Sequence, residues 1–103
     1  ELVRILDGDT IDAMIDLGFD VWVKKRIRFL GINAPETRTR DLKEKQAGLK
    51  AKSRVEALFD ASDGVFVLKS HGVGKYGRVF GEIFIDEVNI NNLLIEEGLA
   101  RKY

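Results

Sequence analysis

The spacing of the apolar residues changes near residue 41, and this change limits the folds open to the chain. Before it, from Thr10 onward, apolar Ile11, Ala13 and Ile15 alternate with their neighbours at the period of a half-buried strand. After it, apolar residues recur at helical spacing, and they are Ala47, Ala51, Val55, Leu58 and Phe59. The sequence therefore predicts early strands followed by one amphipathic helix.

The other segments complete a set of five strands and two helices. The predicted strands are residues 2–6, the segment that begins at residue 10, and residues 21–29, 65–68 and 78–85. Asp41 and Glu44 stand at capping-box spacing and begin the long helix, which Ser62-Asp63-Gly64 ends. Asn89 caps a short helix that continues through Glu97.

This element order predicts a strand-dominated α+β fold in a single domain, residues 1–103. Five strands with alternating faces can close into a Greek-key barrel of the OB type. The long helix would lie between strands three and four, and the short helix would follow strand five. Such barrels often hold oligonucleotides, but a fold alone does not establish a function.

The charge balance limits how the chain could bind nucleic acid. Lys and Arg together number 17, as do Asp and Glu, so the formal net charge is zero. Nucleic-acid binders usually show a basic excess, so binding would depend on local cations or on a bound metal. The absence of cysteine excludes disulfides, thiolate chemistry and zinc–sulfur sites.

The sequence leaves the compartment open. No apolar stretch approaches the ~18 residues that a membrane span needs, and no signal peptide is visible. Because the chain begins with Glu1 rather than Met, it resembles a trimmed or mature fragment, and both a secreted and a cytoplasmic location stay open. We expect a monomer that does not associate with membranes.

The only histidine, His71, stands beside the glycine-rich stretch 72–77, which is predicted as a loop. Functional histidines usually come with an identified base or ligand partner, and no partner motif accompanies this one. We therefore expect a plain loop residue.

The turn Asp7-Gly8-Asp9-Thr10 places two carboxylates around a glycine between two predicted strands. Hard cations such as calcium bind oxygen ligands, and short acidic turns supply them. The same residues also suit an ordinary Asp-Gly hairpin turn, so the motif alone does not choose between the two interpretations.

Two further segments could contact a phosphate. Arg28 precedes the turn Asn33-Ala34-Pro35-Glu36, which offers an amide oxygen and a carboxylate that could orient or deprotonate a water. Lys75-Tyr76-Gly77-Arg78 combines cations with an aromatic ring, which suits a phosphate with a base stacked beside it. Each segment alone also fits a solvated surface turn.

Taken together and in this order, these segments resemble the staphylococcal nuclease family. The matching segments are Asp7-Gly8-Asp9-Thr10, residues 28–36, Lys75-Tyr76-Gly77-Arg78 and the closing Glu97-Gly98-Leu99-Ala100, and they span nearly the whole chain. Because three separate signatures agree, the resemblance is specific.

The resemblance implies a calcium site. Asp9 matches the turn carboxylate that ligates calcium, Ala34 matches the residue that offers its backbone carbonyl, and Asp7 matches a nearby acidic residue that tunes the site. Where the family usually has aspartate, this chain has Asn33, which keeps a ligating oxygen but loses one negative charge. We therefore expect weaker or altered calcium binding.

The resemblance also implies the groups that act on the phosphate. Arg28 and Arg78 match two arginines that clamp it. Glu36 matches the glutamate held to be the general base or to position the attacking water. Tyr76 matches a tyrosine beside the bound nucleotide, and we also expect Lys75, its neighbour, to bind the nucleotide.

We therefore predict a calcium-dependent nuclease that cleaves single-stranded or unwound DNA and RNA and leaves 3′-phosphates. The alternative from another class is an OB-type nucleic-acid-binding module with impaired catalysis, which Asn33 and the neutral net charge favour. A protein-interaction barrel is a third interpretation, but it leaves the three motifs unexplained.

Overall fold

The structure is a computed structural model that describes residues 1–74 and 77–103. Its elements are β1 (Leu2–Asp7), β2 (Thr10–Asp16), β3 (Trp22–Phe29), β4 (Ile32–Asn33), α1 (Leu42–Ala61), β5 (Val67–Val73), β6 (Val79–Ile85), β7 (Val88–Asn89), α2 (Ile90–Glu96) and β8 (Arg101–Lys102). None of the helices in these ranges is long and apolar enough to cross a membrane.

The main sheet is mixed. Its strands follow the order β1-β2-β3-β6-β5, and β7 pairs with β6. The β3–β6 pair is parallel, whereas the other pairs of this sheet are antiparallel. A second small sheet joins β4 to β8. The parallel pair matters most for function, because it places the end of β3 beside the beginning of β6.

The predicted class, a mostly-sheet α+β fold, is confirmed. Five of the strands are long, and the two-residue strands β4, β7 and β8 add to the five that the sequence predicts. Among the described residues, the ladder of the main sheet begins at β1 and ends at β5. Closure of the five strands into an OB-type barrel therefore stays a prediction.

The predictions of a strand at residues 65–68 and of a loop that begins at Gly72 are partly wrong. Strand β5 begins at Val67 rather than at Val65, and both valines are exposed rather than buried. The strand also continues to Val73, so Gly72 lies in a strand and not in a loop. The cause is pairing with β6, where Gly72 lies opposite Phe80 after a bulge that follows Ser70. Glycine composition alone does not reveal such a partner.

Helix α1 forms where the sequence predicts it. The Asp41 side chain accepts hydrogen bonds from the backbone N–H groups of Lys43 (3.0 Å) and Glu44 (3.3 Å), which satisfies donors at the helix start. The helix turns Ala51, Val55 and Phe59 into the core. That core also contains Ile11, Ala13, Ile27, Phe29, Ile32, Ile83, Ile85, Ile90 and Leu94.

Two glycines allow close approach between α1 and the chain segments that carry the acidic motif. A Cβ atom on Gly8, in the β1–β2 turn, would lie 2.7 Å from the Ala51 Cβ. A Cβ atom on Gly48, within α1, would lie 2.5 Å from the carbonyl oxygen of Glu36. Real Cβ atoms do not approach so closely, so both positions require glycine. The acidic turn and the Glu36 segment therefore rest directly on the helix.

We predict that Gly48→Ala lowers the free energy of unfolding by about 1 kcal/mol, although alanine is the better helix former. The added methyl group would meet the backbone of Glu36, which cannot rotate away as a side chain can. Urea unfolding of the variant measures the change. The control is Ser53→Ala, at an exposed position of the same helix, which should be neutral or stabilising. A Gly48→Ala protein as stable as the wild type would contradict the close contact.

Candidate active site

The Asp9 carboxylate is buried at the β1–β2 turn, and its residue is 6% exposed. Its Oδ1 accepts a hydrogen bond from the Thr10 hydroxyl at 2.9 Å. Its Oδ2 accepts one from the backbone N–H of Ala34 at 2.8 Å. Asp9 therefore ties the acidic turn to the segment after β4, which lies 25 residues away in the chain.

Arg28 brings the second motif to the same place. Its Nη1 lies 3.4 Å from Asp9 Oδ2, and its Nη2 donates to Asn33 Oδ1 at 3.3 Å. Nη1 also donates to the carbonyl oxygens of Phe29 (3.0 Å) and Ile32 (2.9 Å). Asp9 and Asn33, which come from two different motifs, thus both contact the Arg28 guanidinium. Arg28 is also a structural brace, because its side chain is only 17% exposed and binds two backbone carbonyls.

Asp7 holds the segment that carries Glu36. Its Oδ1 accepts hydrogen bonds from the backbone N–H of Thr37 (3.1 Å) and from the Thr37 hydroxyl (2.7 Å). Glu36 itself is exposed, and its backbone rests against Gly48. The carboxylate of Glu36 is therefore attached to a fixed backbone while its side chain faces solvent.

Arg78 stands just before β6 and lines a cleft of about 270 Å³ together with Arg28. The register explains their proximity, because Ile27 lies opposite Val79 in the parallel β3–β6 pair. The Nε of Arg78 is buried and has no hydrogen-bond partner among the described residues. The two arginines thus share one cleft, and Asp9, which does not line it, contacts Arg28. Within residues 1–74 and 77–103, no described contact joins Glu36 to this cleft.

Lys75 and Tyr76, the two residues predicted to contact the nucleotide, lie outside the described residues. The prediction that assigns them to nucleotide binding therefore stays a prediction.

The oxygens of the three predicted ligands are of the type that a hard cation binds, but they supply little negative charge. Asp9 offers a carboxylate, Asn33 an amide oxygen and Ala34 a carbonyl, and calcium prefers such oxygen donors. A carboxylate has about four acceptor positions, so the hydrogen bonds of Asp9 leave room for a further contact. However, Asp9 Oδ2 already faces Arg28 Nη1, and no group of three His, Asp or Glu side chains within the described ranges could hold a metal ion. The donor set therefore suits a weakly held cation.

An ionic cluster that the sequence pattern does not predict surrounds Asp12. The alternating pattern places Asp12 on the polar side of its strand, yet the residue is only 5% exposed. Its Oδ2 lies 3.1 Å from Arg4 Nε, and its Oδ1 lies 2.9 Å from Arg26 Nε. The hydrogen bond from Arg26, followed by that from Arg4, holds the pKa of the Asp12 carboxyl below its usual value despite desolvation. The strand register explains the cluster, because it pairs Asp12 with Arg4 on β1 and with Arg26 on β3.

The expectation for His71 is wrong. The residue lies in β5 rather than in a loop, and its Nε2 lies 2.7 Å from Glu82 Oε1 on the neighbouring β6. Glu82 also accepts a hydrogen bond from Asn89 Nδ2, at 2.6 Å. His71 and then Asn89 lower the pKa of Glu82 through these hydrogen bonds. This group braces three strands, β5, β6 and β7.

Known proteins resemble the chain over most of its length. The family described as "Staphylococcal nuclease homologue" matches residues 26–103. A micrococcal nuclease of Shigella flexneri is 30% identical over 112 residues, which cover 100% of this chain and 57% of the relative. Protein ParB of Escherichia coli is 29% identical over 113 residues, and these cover 100% of this chain and 56% of the relative.

A third relative is endonuclease YncB of Bacillus subtilis (strain 168). It is 29% identical over 101 residues, which cover 97% of this chain and 46% of the relative. The chain thus spans about half the length of the curated relatives it matches.

We predict that Asp12→Asn is less stable than the wild type at neutral pH, and that this difference in the free energy of unfolding becomes smaller as the pH falls. Since the folded-state pKa of Asp12 is lowered, the ionised carboxylate contributes stability that is complete above the unfolded value of 3.8 and is lost as the pH falls through the folded value. Urea unfolding of both proteins at about pH 7 and about pH 2.5 measures the difference. A difference that stays constant or grows at acid pH would argue against the arginine contacts.

Proposed function

The chain belongs to the family of staphylococcal nuclease homologues, and from that premise we propose that it hydrolyses phosphodiester bonds of DNA and RNA with the help of a calcium ion. The observation that supports this most directly is the shared cleft of Arg28 and Arg78, with Asp9 and Asn33 in contact with Arg28. The proposal treats residues 1–103 as one nuclease domain and as a monomer.

The two arginines are the proposed phosphate clamp. A guanidinium presents planar N–H donors that match phosphate oxygens. In phosphodiester hydrolysis, negative charge grows on the non-bridging oxygens as the transition state forms. Donors that are already aimed at those oxygens stabilise the transition state more than the bound substrate. The Nε of Arg78 has no partner among the described residues, so this donor is not used by the part of the chain that the structure describes.

Glu36 is the proposed base. A base must be near the water that it activates, and Glu36 combines a fixed backbone with an exposed carboxylate. The hydrogen bonds between Asp7 and Thr37 hold that backbone. Asp7 therefore has a positioning role: it fixes the segment from which Glu36 reaches the substrate.

Asp9, Asn33 and the Ala34 carbonyl would hold the calcium ion. When bound, the ion would polarise a phosphate oxygen as a Lewis acid. Asn33 reduces the negative charge of this donor set, so affinity would be lower than with two carboxylates. Lys75 and Tyr76 would contact the nucleotide, and the products would carry 3′-phosphates.

A second candidate function is nucleic-acid binding with impaired catalysis. The specific observation in its favour is that Arg28 already donates to Phe29, Ile32 and Asn33, so fewer of its donors are free for a phosphate. The neutral Asn33 points the same way. This candidate predicts binding of single-stranded DNA without cleavage.

Digestion of single-stranded DNA separates the two candidates. We expect fragments with 3′-phosphate ends in calcium and no fragments after EDTA is added. Cleavage that continues in EDTA would contradict the role of the cation. Binding of the DNA without cleavage in calcium would favour the second candidate.

We predict that Arg78→Ala lowers kcat by about 10²–10³-fold, by analogy with the loss of one preorganised donor. The fold should persist, because the Arg78 Nε has no partner within the described residues. Arg28→Ala is a poorer test, since it also removes the brace of Asp9 and of two carbonyls. The matched control is Lys50→Ala, which removes an exposed cation from α1 and should leave kcat unchanged. An active Arg78→Ala enzyme would remove the clamp assignment.

We predict that Asn33→Asp tightens calcium binding, because it restores a second carboxylate beside Asp9. Isothermal titration calorimetry measures this affinity independently of cleavage. The control is Asn92→Asp, an exposed position on α2 that receives the same change of charge. Equal affinities in Asn33→Asp and the wild type would show that Asn33 is not a ligand.

A further inference from the structure

We propose that a basic cleft on β1, β2 and β3 binds the phosphates of single-stranded nucleic acid that flank the cleaved bond. The β3 basic cleft, as we name it, has a volume of about 790 Å³ and is lined by Arg4, Asp12, Lys24, Lys25, Arg26 and Arg78. The inference rests on the proposed function for its substrate class. Apart from Arg78, the lining residues have no role in the proposed reaction.

The cleft concentrates positive charge in a chain whose formal net charge is zero. Five of its six lining residues are cations and one is a carboxylate, whereas the whole chain has 17 basic and 17 acidic residues. A local excess of cations attracts a polyanion and releases its condensed counterions on binding. Charge complementarity therefore points to a nucleic-acid backbone as the occupant.

Asp12 holds two of these cations in place and leaves them exposed to solvent. Its buried carboxylate binds the Nε atoms of Arg4 and Arg26, yet the two arginine side chains stay 60% and 42% exposed. Arg26 Nη2 also donates to Asp12 Oδ2 at 3.3 Å, and the other terminal nitrogens of the two guanidinium groups form no hydrogen bond within the described ranges. Because these side chains are already ordered, less conformational entropy is lost when a phosphate binds.

The spacing of cations along β3 continues toward the candidate active site. Side chains two residues apart on a strand share one face and lie about 6.6 Å apart, so Lys24, Arg26 and Arg28 form an even row of about 13 Å. Arg28 ends this row at the phosphate clamp. A polymer with regularly repeated phosphates matches such a row better than a single small anion does.

Arg78 connects the two surfaces. It lines both the β3 basic cleft and the cleft that it shares with Arg28. A strand with one phosphate between the two clamp arginines would therefore place neighbouring phosphates beside Arg26 and Lys24. The length of the substrate, rather than the cleaved bond itself, would determine how much of the β3 basic cleft is used.

Binding of labelled single-stranded DNA in EDTA tests the proposal without cleavage. The variant is Lys24→Glu/Lys25→Glu, which reverses two exposed charges that form no ion pair within the described ranges and are not part of the clamp. The matched control is Lys45→Glu/Lys50→Glu, which makes the same change at exposed positions of α1. Circular dichroism confirms that each variant is folded.

We expect the Lys24→Glu/Lys25→Glu variant to bind an oligonucleotide of about 12 residues at least about tenfold more weakly than the control variant does. The slope of log affinity against log salt should fall by about 1.4, since each lost phosphate contact on a single strand removes about 0.7. The affinity for an oligonucleotide of about 3 nucleotides, which is long enough to contact only the clamp, should be nearly the same in the two variants.

Three results would overturn the proposal. The first is equal weakening in the two charge-reversal variants, and the second is equal weakening for short and long oligonucleotides. The third is displacement of the DNA by polyglutamate at the same charge concentration, which would show a general acidic ligand. A wild-type protein that fails to cleave in calcium but shows the predicted length dependence would refute the proposed function and leave this binding surface standing.

Discussion

The burial of the Asp9 carboxylate is the constraint on which the rest of the site depends. A buried charge is costly unless it is paired and hydrogen-bonded, so Asp9 requires donors from its surroundings. It obtains them from Thr10, from the Ala34 backbone and from Arg28. These contacts join the β1–β2 turn, the end of β3 and the segment after β4 at one point. The junction fixes where Asp9, Arg28 and Ala34 lie relative to one another.

Local chemistry made part of this molecule predictable from sequence. The cap at Asp41, the acidic turn and the stretch from Arg28 to Glu36 each depend on residues close together in the chain, and the α+β class follows from the change in apolar spacing. The structure brings Asp9, Arg28 and Asn33 together, as their order in the motifs suggested. The assignment of chemical roles to these residues remains a prediction.

The features that escaped prediction depend on partners that are distant in the sequence. Asp12 is buried because β2 lies between two strands that each present an arginine. The alternation of residues within one strand does not indicate which strands pair with it. Likewise, pairing with β6 continues β5 through Gly72, where glycine composition indicates a loop. Arg28 was recognised as a cation, but its contacts with two carbonyls were not, since these depend on the turn geometry after β3.

The parallel pairing of β3 with β6 determines when, during folding, the cleft of Arg28 and Arg78 forms. Arg28 and Arg78 are separated in the chain by β4, α1 and β5, so they meet only after the intervening segment has folded and β6 has docked. Non-local pairings of this kind form late, because loop closure must precede them. A ribosome-bound chain that has emerged only as far as α1 would thus lack the arginine cleft, and newly made protein would gain it only on completing the sheet.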